Sequence, residues 1–274
     1  AGLGDIETTW WIAEAAPAAI AWLQEQGIGF DRTSDGDEIA LGLEAAHSRR
    51  RIVHAGGDRT GQRVIDGLIN AVHKTPSISV LEGKVVDLAM SENGEVGGVV
   101  YLPVGRRLAS DAVLLHGRGV VLATGGVGGL YAHTTNPAAA VGTGLALAAR
   151  AGAVLRDLEF VQFHPTAIAI GRDPMPLATE ALRGEGAILV NGRGDRFMED
   201  VPGAELAPRD IVANAVFRQI TGGEQVFLDI RPALAGSVHT RFPGFSALCA
   251  SAGLDPAKQP IPIRPAAHYH MGGI

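Results

Sequence analysis

The residues of this chain that are suited to anion binding and proton transfer stand in short, separate motifs. Arg209 follows Pro208 at a predicted helix start, where its guanidinium can form a bidentate fork to a carboxylate. His164 lies in a Phe-His-Pro turn, and His268 opens a His-Tyr-His run. Taken alone, each has an ordinary alternative: a surface ion pair of Arg209 with Asp210, and hydrogen-bonded structural histidines. The His-Tyr-His run resembles a metal pair, but the sequence offers no evident third ligand, so we predict no metal site.

Glycine-rich segments are the second chemical signal. A dinucleotide-binding chain should carry a complete Gly-x-Gly-x-x-Gly at the start of a βαβ unit, and this sequence has none. A predicted buried strand, 119–123, runs into Thr124-Gly125-Gly126, where glycine lets the backbone approach a flat ligand closely. Ala123, Thr124, Gly125 and Gly126 are therefore candidate cofactor contacts, and an ordinary exit from a strand is the alternative.

Hydrophobic periodicity and turn residues predict an α/β chain that must position these groups. Asp5 is expected to cap a first helix, and Pro17 to start a second helix that ends at Gly27. Asp58 or Thr60 is expected to cap the helix at 61–73. The other predicted elements are helices at 144–151 and 208–220, strands at 78–86, 96–102, 119–123 and 225–230, and a strand–turn–strand at 187–198.

Composition excludes several classes of protein. The 274 residues are 46% hydrophobic with a net charge of −6, which suits a large core and argues against a nucleic-acid or acidic-lipid partner. A single cysteine leaves no internal disulfide, zinc or iron–sulfur framework. The apolar stretch at 9–23 is too short for a membrane span, no signal peptide opens the chain, and a cytoplasmic protein is expected. The absence of an initiator Met indicates that the true N-terminus lies elsewhere.

Six motifs, in order and with similar spacing, resemble the L-aspartate oxidases of the fumarate reductase/succinate dehydrogenase flavoprotein family. The Gln-Phe-His-Pro-Thr and Arg-Gly-Glu-Gly elements are shared across that family, whereas the His-Ser-Arg-Arg-Arg-Ile-Val-His stretch favours the aspartate oxidase branch. The resemblance spans essentially the whole chain. The motifs lie at 44–55, 58–61, 158–166, 179–187, 208–210 and 267–269.

This resemblance implies an incomplete, Rossmann-like FAD-binding domain with an inserted α+β capping domain. Residues 1–157 would be the central part of the FAD-binding domain, 158–269 the capping domain, and 270–274 the return to the first domain. The glycine-rich nucleotide loop would precede residue 1. Further flavin contacts and another substrate arginine would follow residue 274.

The implied reaction is the FAD-dependent oxidation of L-aspartate to iminosuccinate, with reoxidation by oxygen or fumarate, as the first step of de novo NAD biosynthesis. Functional coupling to quinolinate synthase is implied as well. Glu44 would favour the ammonium group of aspartate and repel a plain dicarboxylate. The resemblance implies catalytic roles for Glu44, His164, Arg209 and His268, and substrate contacts from His164, Thr179, Glu180, Arg209 and His268.

Three alternatives remain open at this stage. The chain can belong to a fumarate reductase or succinate dehydrogenase flavoprotein subunit, which should tolerate the loss of Glu44. As an isolated piece it is expected to be inactive, and it can be a non-catalytic fragment that does not retain FAD. Glu44 can also be a solvated loop carboxylate, as the three arginines at 49–51 can be solvated or intramolecularly paired.

Overall fold

The computed structural model of the protein describes residues 4–43 and 47–274. Helices and antiparallel strands are mixed along this part of the chain, which confirms the expected mixed fold class. The helices are α1 (Ile6–Glu25), α2 (Thr60–His73), α3 (Thr143–Arg150), α4 (Glu180–Gly184), α5 (Arg209–Thr221), α6 (Arg231–Leu234), α7 (Val238–Arg241) and α8 (Pro243–Ser251). The strands are β1 (Leu41–Gly42), β2 (Ile52–Val53), β3 (Gly83–Met90), β4 (Val96–Pro103), β5 (Val113–His116), β6 (Val161–Ile168), β7 (Ile188–Asn191), β8 (Val226–Asp229) and β9 (Ile261–His270).

The first helix is continuous, so the prediction of a second helix starting at Pro17 is wrong. The Asp5 carboxylate accepts a hydrogen bond from the Thr8 amide, as the predicted cap requires. Pro17 lies inside α1 between pairs of alanines, the residue with the highest helix propensity, and helical φ is compatible with its ring. The helix stops before Gly27, whose φ of 88° is in the left-handed region that glycine tolerates.

The start of α2 also differs from the prediction. Its N-terminal cap position is Arg59, which makes no capping bond through its side chain. The Thr60 hydroxyl instead accepts from the Ala55 amide at 3.1 Å. The Asp58 carboxylate accepts from the amides of Gly244 and Phe245, in the first turn of α8, at 3.1 and 2.9 Å. Neither proposed cap therefore bonds the first turn of α2: Thr60 bonds the preceding loop, and Asp58 bonds a helix far along the chain.

The first large sheet has the order β3-β4-β5 and is antiparallel throughout. A tight turn joins β3 to β4, in which Ser91 and Glu95 are hydrogen-bonded and Gly94 has a φ of 78°. The predicted strand at 119–123 is wrong: within the described ranges this segment pairs with no strand, and Val121 is 91% exposed. Strand β5, which pairs with β4, was missed by sequence analysis.

The second large sheet, ordered β6-β9-β8-β7, lies wholly beyond residue 160 and carries the main hydrophobic core. The second half of the predicted strand–turn–strand at 187–198 is wrong. The Asn191 side chain holds a turn by accepting from the amides of Arg193 and Asp195, and β7 pairs with β8 instead. Met198 then enters the core, which includes Leu182, Leu189, Val212, Leu228, Phe245 and Ile261.

No helix within 4–43 or 47–274 is long and apolar enough to cross a bilayer.

Candidate active site

Strands β6 and β9 bring two of the predicted site residues together. The strands pair antiparallel, with His164 opposite Ala266 and a register irregularity on each side of His164. The rings of His164 and His268 consequently meet edge to face, with their centroids 5.1 Å apart. Pairing of β6 with β9 therefore brings together two histidines that lie about one hundred residues apart in the sequence.

Both histidines are held in the neutral form. His164 is fully buried, and its pKa is well below the ordinary value because of burial and, next, the nearby Arg209 cation. Burial and Arg209 lower the pKa of His268 to about 4. The Nε2 atom of His164 is buried without a hydrogen-bond partner in the part of the chain that the structure describes. A neutral imidazole with a free nitrogen in this position is suited to contacting a bound ligand.

Arg209 and Glu180 form the charged centre of the site. Arg209 opens α5, and Glu180 opens α4. The Nε and Nη2 atoms of Arg209 donate to Glu180 Oε2 at 2.8 and 2.5 Å, and Nη1 donates to Gln162 Oε1 at 2.9 Å. Burial lowers the pKa of Arg209, but hydrogen bonds to Glu180 outweigh it and the net pKa is raised. Of five guanidinium protons, three are engaged, which leaves two for an anionic ligand.

A second arginine, Arg183, supports Glu180 from behind and was missed by sequence reasoning as a site residue. Its side chain is fully buried, and Nη2 donates to Glu180 Oε1 at 3.0 Å while Nη1 donates to the Glu205 carbonyl at 2.6 Å. Burial lowers its pKa, which Glu180 opposes. The Glu205 carboxylate is in turn held by Arg196 at 2.7 Å. Arg183 stands in the Arg-Gly-Glu-Gly motif, so a signal for it existed, whereas nothing local marks Glu205.

Thr179 lies directly before Glu180, at the N-terminus of α4. It occupies the N-cap position, and its hydroxyl makes a long, 3.4 Å contact with the Ala181 amide. Thr179 also lines a cavity of about 530 Å³ between α4 and the segment 40–61. His164, Arg209 and His268 do not line this cavity, so the described residues divide the predicted substrate contacts between a buried cluster and the cavity wall. Glu44, the proposed specificity residue, lies outside the described residues.

The predicted cofactor segment follows the unpaired stretch at 119–123. Ala123, Thr124 and Gly125 are exposed, and Gly125 has a φ of 69° with open space where a side chain would project. Gly126 instead packs closely, since a methyl group there would lie 2.5 Å from His270 Cβ. A backbone segment that is open to solvent on one side and tightly packed on the other is suited to binding a flat cofactor. No group of metal-binding side chains occurs in the described parts of the chain.

Comparison with known proteins gives a consistent result. The family described as "FAD binding domain" matches residues 6–274. L-aspartate oxidase of Agrobacterium fabrum is 52% identical over 273 residues, covering 100% of this chain and 51% of the relative. L-aspartate oxidase of Xylella fastidiosa is 56% identical over 253 residues, covering 92% and 48%. The chain therefore spans about half the length of these relatives.

Solved structures resemble the fold as well. A quinol–fumarate reductase with menaquinol molecules has a TM-score of 0.84 and 33% identity, covering 95% of this chain and 48% of that one. A variant of the E. coli quinol fumarate reductase FrdA has a TM-score of 0.83 and 32% identity, covering 95% and 47%. The predicted resemblance to this flavoprotein group and the expected FAD cofactor are confirmed.

Proposed function

Because the chain belongs to the FAD-binding domain family, we propose that it is the central part of an enzyme that oxidises L-aspartate to iminosuccinate. The observation that carries this proposal is the cluster of Arg209, Glu180 and the two neutral histidines. Sequence identity to L-aspartate oxidases over the whole chain supports it. Arginine and imidazole N–H groups are the donors that a dicarboxylate requires. Residues 158–269 would form the capping domain and 1–157 the central part of the FAD-binding domain.

The chemistry divides between cofactor and chain. FAD supplies the hydride acceptor, and Ala123, Thr124, Gly125 and Gly126 would contact it. Arg209 would hold one substrate carboxylate with its two unengaged N–H groups. His164 and His268 would donate to the dicarboxylate from the sheet, and Thr179 would contact it from the cavity wall. Glu180 would keep Arg209 in place while Arg209 binds the substrate, since both oxygens of the Glu180 carboxylate accept hydrogen bonds from arginines.

Glu44 would supply the discrimination between aspartate and succinate. A carboxylate near Cα attracts the ammonium group of aspartate and repels a substrate that lacks one. The oxidised product would be consumed in de novo NAD biosynthesis in the cytoplasm, with coupling to quinolinate synthase. Oxygen or fumarate would reoxidise the flavin.

A second candidate, a fumarate reductase or succinate dehydrogenase flavoprotein subunit, is favoured by the two reductase structures at 32–33% identity. The two L-aspartate oxidases compared above are 52% and 56% identical, which makes the oxidase the better proposal.

The test is anaerobic and uses the full-length, FAD-loaded protein. L-Aspartate and succinate are added separately while the absorbance of oxidised flavin is followed. The proposal expects bleaching by aspartate and not by succinate, and a large loss of this selectivity in Glu44→Gln. Bleaching by succinate in the unmodified protein would move it to the reductase/dehydrogenase branch.

A further inference from the structure

The position of the proton on each histidine ring decides what the site can bind. A neutral imidazole carries one N–H and one lone pair, so a histidine aimed at a carboxylate stabilises it with one tautomer and repels it with the other. The hydrogen bonds around Nδ1 of His164 and His268 determine which tautomer is present.

The tautomer of His164 follows from its hydrogen bond with a backbone amide. The Thr166 amide donates to His164 Nδ1 at 3.2 Å, and a backbone amide can only donate. Nδ1 is therefore the acceptor, and the proton is on Nε2. The Thr166 hydroxyl donates to the Ala178 carbonyl at 2.9 Å, which ties this turn of β6 to the segment before α4.

The hydrogen-bond partner of His268 Nδ1 is a hydroxyl, which can donate or accept. The Thr135 Oγ1 atom lies 2.7 Å from His268 Nδ1 and 3.3 Å from the Ala267 carbonyl oxygen. If the hydroxyl proton went to Ala267, His268 would have to donate from Nδ1. If it goes to His268, the ring proton is on Nε2.

The Ala267 carbonyl is already saturated. It accepts from the Thr135 amide at 3.0 Å and from the Asn136 side chain at 3.1 Å, and a carbonyl oxygen has two lone pairs. The Asn136 amide group also donates to the His268 carbonyl at 2.9 Å, which fixes its orientation. The Thr135 hydroxyl therefore has one short, available acceptor, and that is His268 Nδ1.

We propose that Thr135 is a positioning residue that holds His268 in the Nε2–H tautomer, so that His164 and His268 together present two neutral N–H donors to a dicarboxylate. Among residues 4–43 and 47–274, neither Nε2 atom has a hydrogen-bond partner. The identity of the ligand rests on the proposed function, whereas the tautomer rests on the hydrogen bonds alone.

The first test reads the tautomer directly. The full-length, FAD-loaded protein, without ligand, is labelled with nitrogen-15 in histidine, and two-bond proton–nitrogen NMR distinguishes Nδ1–H from Nε2–H. His268→Gln assigns the His268 resonances. We expect Nε2–H with a hydrogen-bonded Nδ1 in the unmodified protein and in Thr135→Ser, and loss of the Nδ1 bond in Thr135→Val. Thr134→Val is the control, since it removes a neighbouring hydroxyl that bonds Asn136 and the Ala267 carbonyl but does not contact His268.

The second test measures the binding of fumarate, which does not reduce the oxidised flavin, by calorimetry in the same proteins. Partial loss of a hydrogen bond to a charged group in Thr135→Val should weaken binding about tenfold, with recovery in Thr135→Ser. An Nδ1–H tautomer in the unmodified protein would overturn the proposal even if no variant folds. Equal effects of Thr135→Val and Thr134→Val would overturn it too. The expected tautomer without any fumarate binding would support Thr135 as the positioning residue and overturn a dicarboxylate as the ligand of the two histidines.

Discussion

Neutralising Glu180 is expected to be among the most destabilising single changes near the site. The Glu180 residue is only 5% exposed, and its two oxygens accept from Arg183 and Arg209. Glu180→Gln retains one acceptor but turns an N–H group toward a guanidinium, and the fully buried Arg183 loses the carboxylate to which it is bonded. Burial already lowers the pKa of Arg183, and Glu180 opposes that shift.

The magnitude follows from the burial of the partners. Removing one member of a buried ion pair costs about 3–5 kcal/mol. Arg209 is 19% exposed on its side chain and keeps its bond to Gln162, so the lower end applies and we expect a loss of about 3 kcal/mol in unfolding free energy. The matched control is Asp87→Asn in the Arg150–Asp87 pair, whose side chains are 53% and 57% exposed. That change should cost at most about 1 kcal/mol.

Urea unfolding of the full-length protein, at a fixed saturating FAD concentration, measures both variants, because bound cofactor adds to apparent stability. Glu180→Gln combined with Arg183→Met should be more stable than Glu180→Gln alone, since the uncompensated charge is then removed. Equal losses for Glu180→Gln and Asp87→Asn, or no recovery in the double variant, would refute the argument that burial makes this pair costly to break.

Three further outcomes follow from the site and its supports. Arg209→Lys should lower aspartate-dependent flavin reduction about 10- to 100-fold, because the fork to carboxylate is lost; an unchanged rate would remove Arg209 from the proposed site. Stability should fall as the pH drops from about 6.5 toward 4, because the pKa of His268 is about 4 in the folded protein and the unfolded chain takes up the proton first. His268 alone contributes a slope of at most about 1.4 kcal/mol per pH unit, His164 adds to it, and urea titrations of His268→Gln should show a smaller slope than the unmodified protein. Asp58→Ala should cost about 1 kcal/mol in the same unfolding assay because two amides of α8 lose their acceptor, and an unchanged midpoint would contradict that capping role.

Sequence reasoning worked where the deciding contacts are local. The helix predicted at 208–220 appears as Arg209–Thr221, because apolar spacing and a proline start act within a few residues. It failed at 119–123, where strand formation depends on a distant partner, and at Pro17, where flanking alanines outweigh a helix-breaking residue. In the candidate site, motifs identified Arg209 and Glu180, whose roles remain predictions.

The supporting contacts show the same limit. The bond from Arg209 to Gln162 joins residues 47 positions apart, and the bond from Thr135 to His268 joins residues 133 apart. Neither hydrophobic period nor turn chemistry carries information over such distances. The tautomer of His268 depends on how many donors already occupy the Ala267 carbonyl, which only the folded arrangement reveals.

The sum of the formal charges around the proposed substrate predicts how Glu44 would affect ligand selectivity. In the buried cluster, Arg183 and Arg209 contribute two positive charges and Glu180 one negative charge, while both histidines are neutral, which leaves one positive charge. The further substrate arginine implied by the family resemblance would add one, and Glu44 would remove one. The resulting single positive charge balances L-aspartate, which has two carboxylates and one ammonium group.

Without the Glu44 charge the same count gives two positive charges, which balance a dicarboxylate that lacks an amino group. Glu44→Gln should therefore bind fumarate more tightly and L-aspartate more weakly, each by roughly tenfold. A tenfold change corresponds to about 1.4 kcal/mol, which a charge pair near a protein surface can supply. Glu44→Asp, which keeps the charge, is the control. Anaerobic titrations would measure both changes, with fumarate followed by the shift in bound flavin absorbance and L-aspartate by the concentration dependence of flavin bleaching. Parallel weakening of both ligands in Glu44→Gln would show that Glu44 supports the site structurally and does not select by charge.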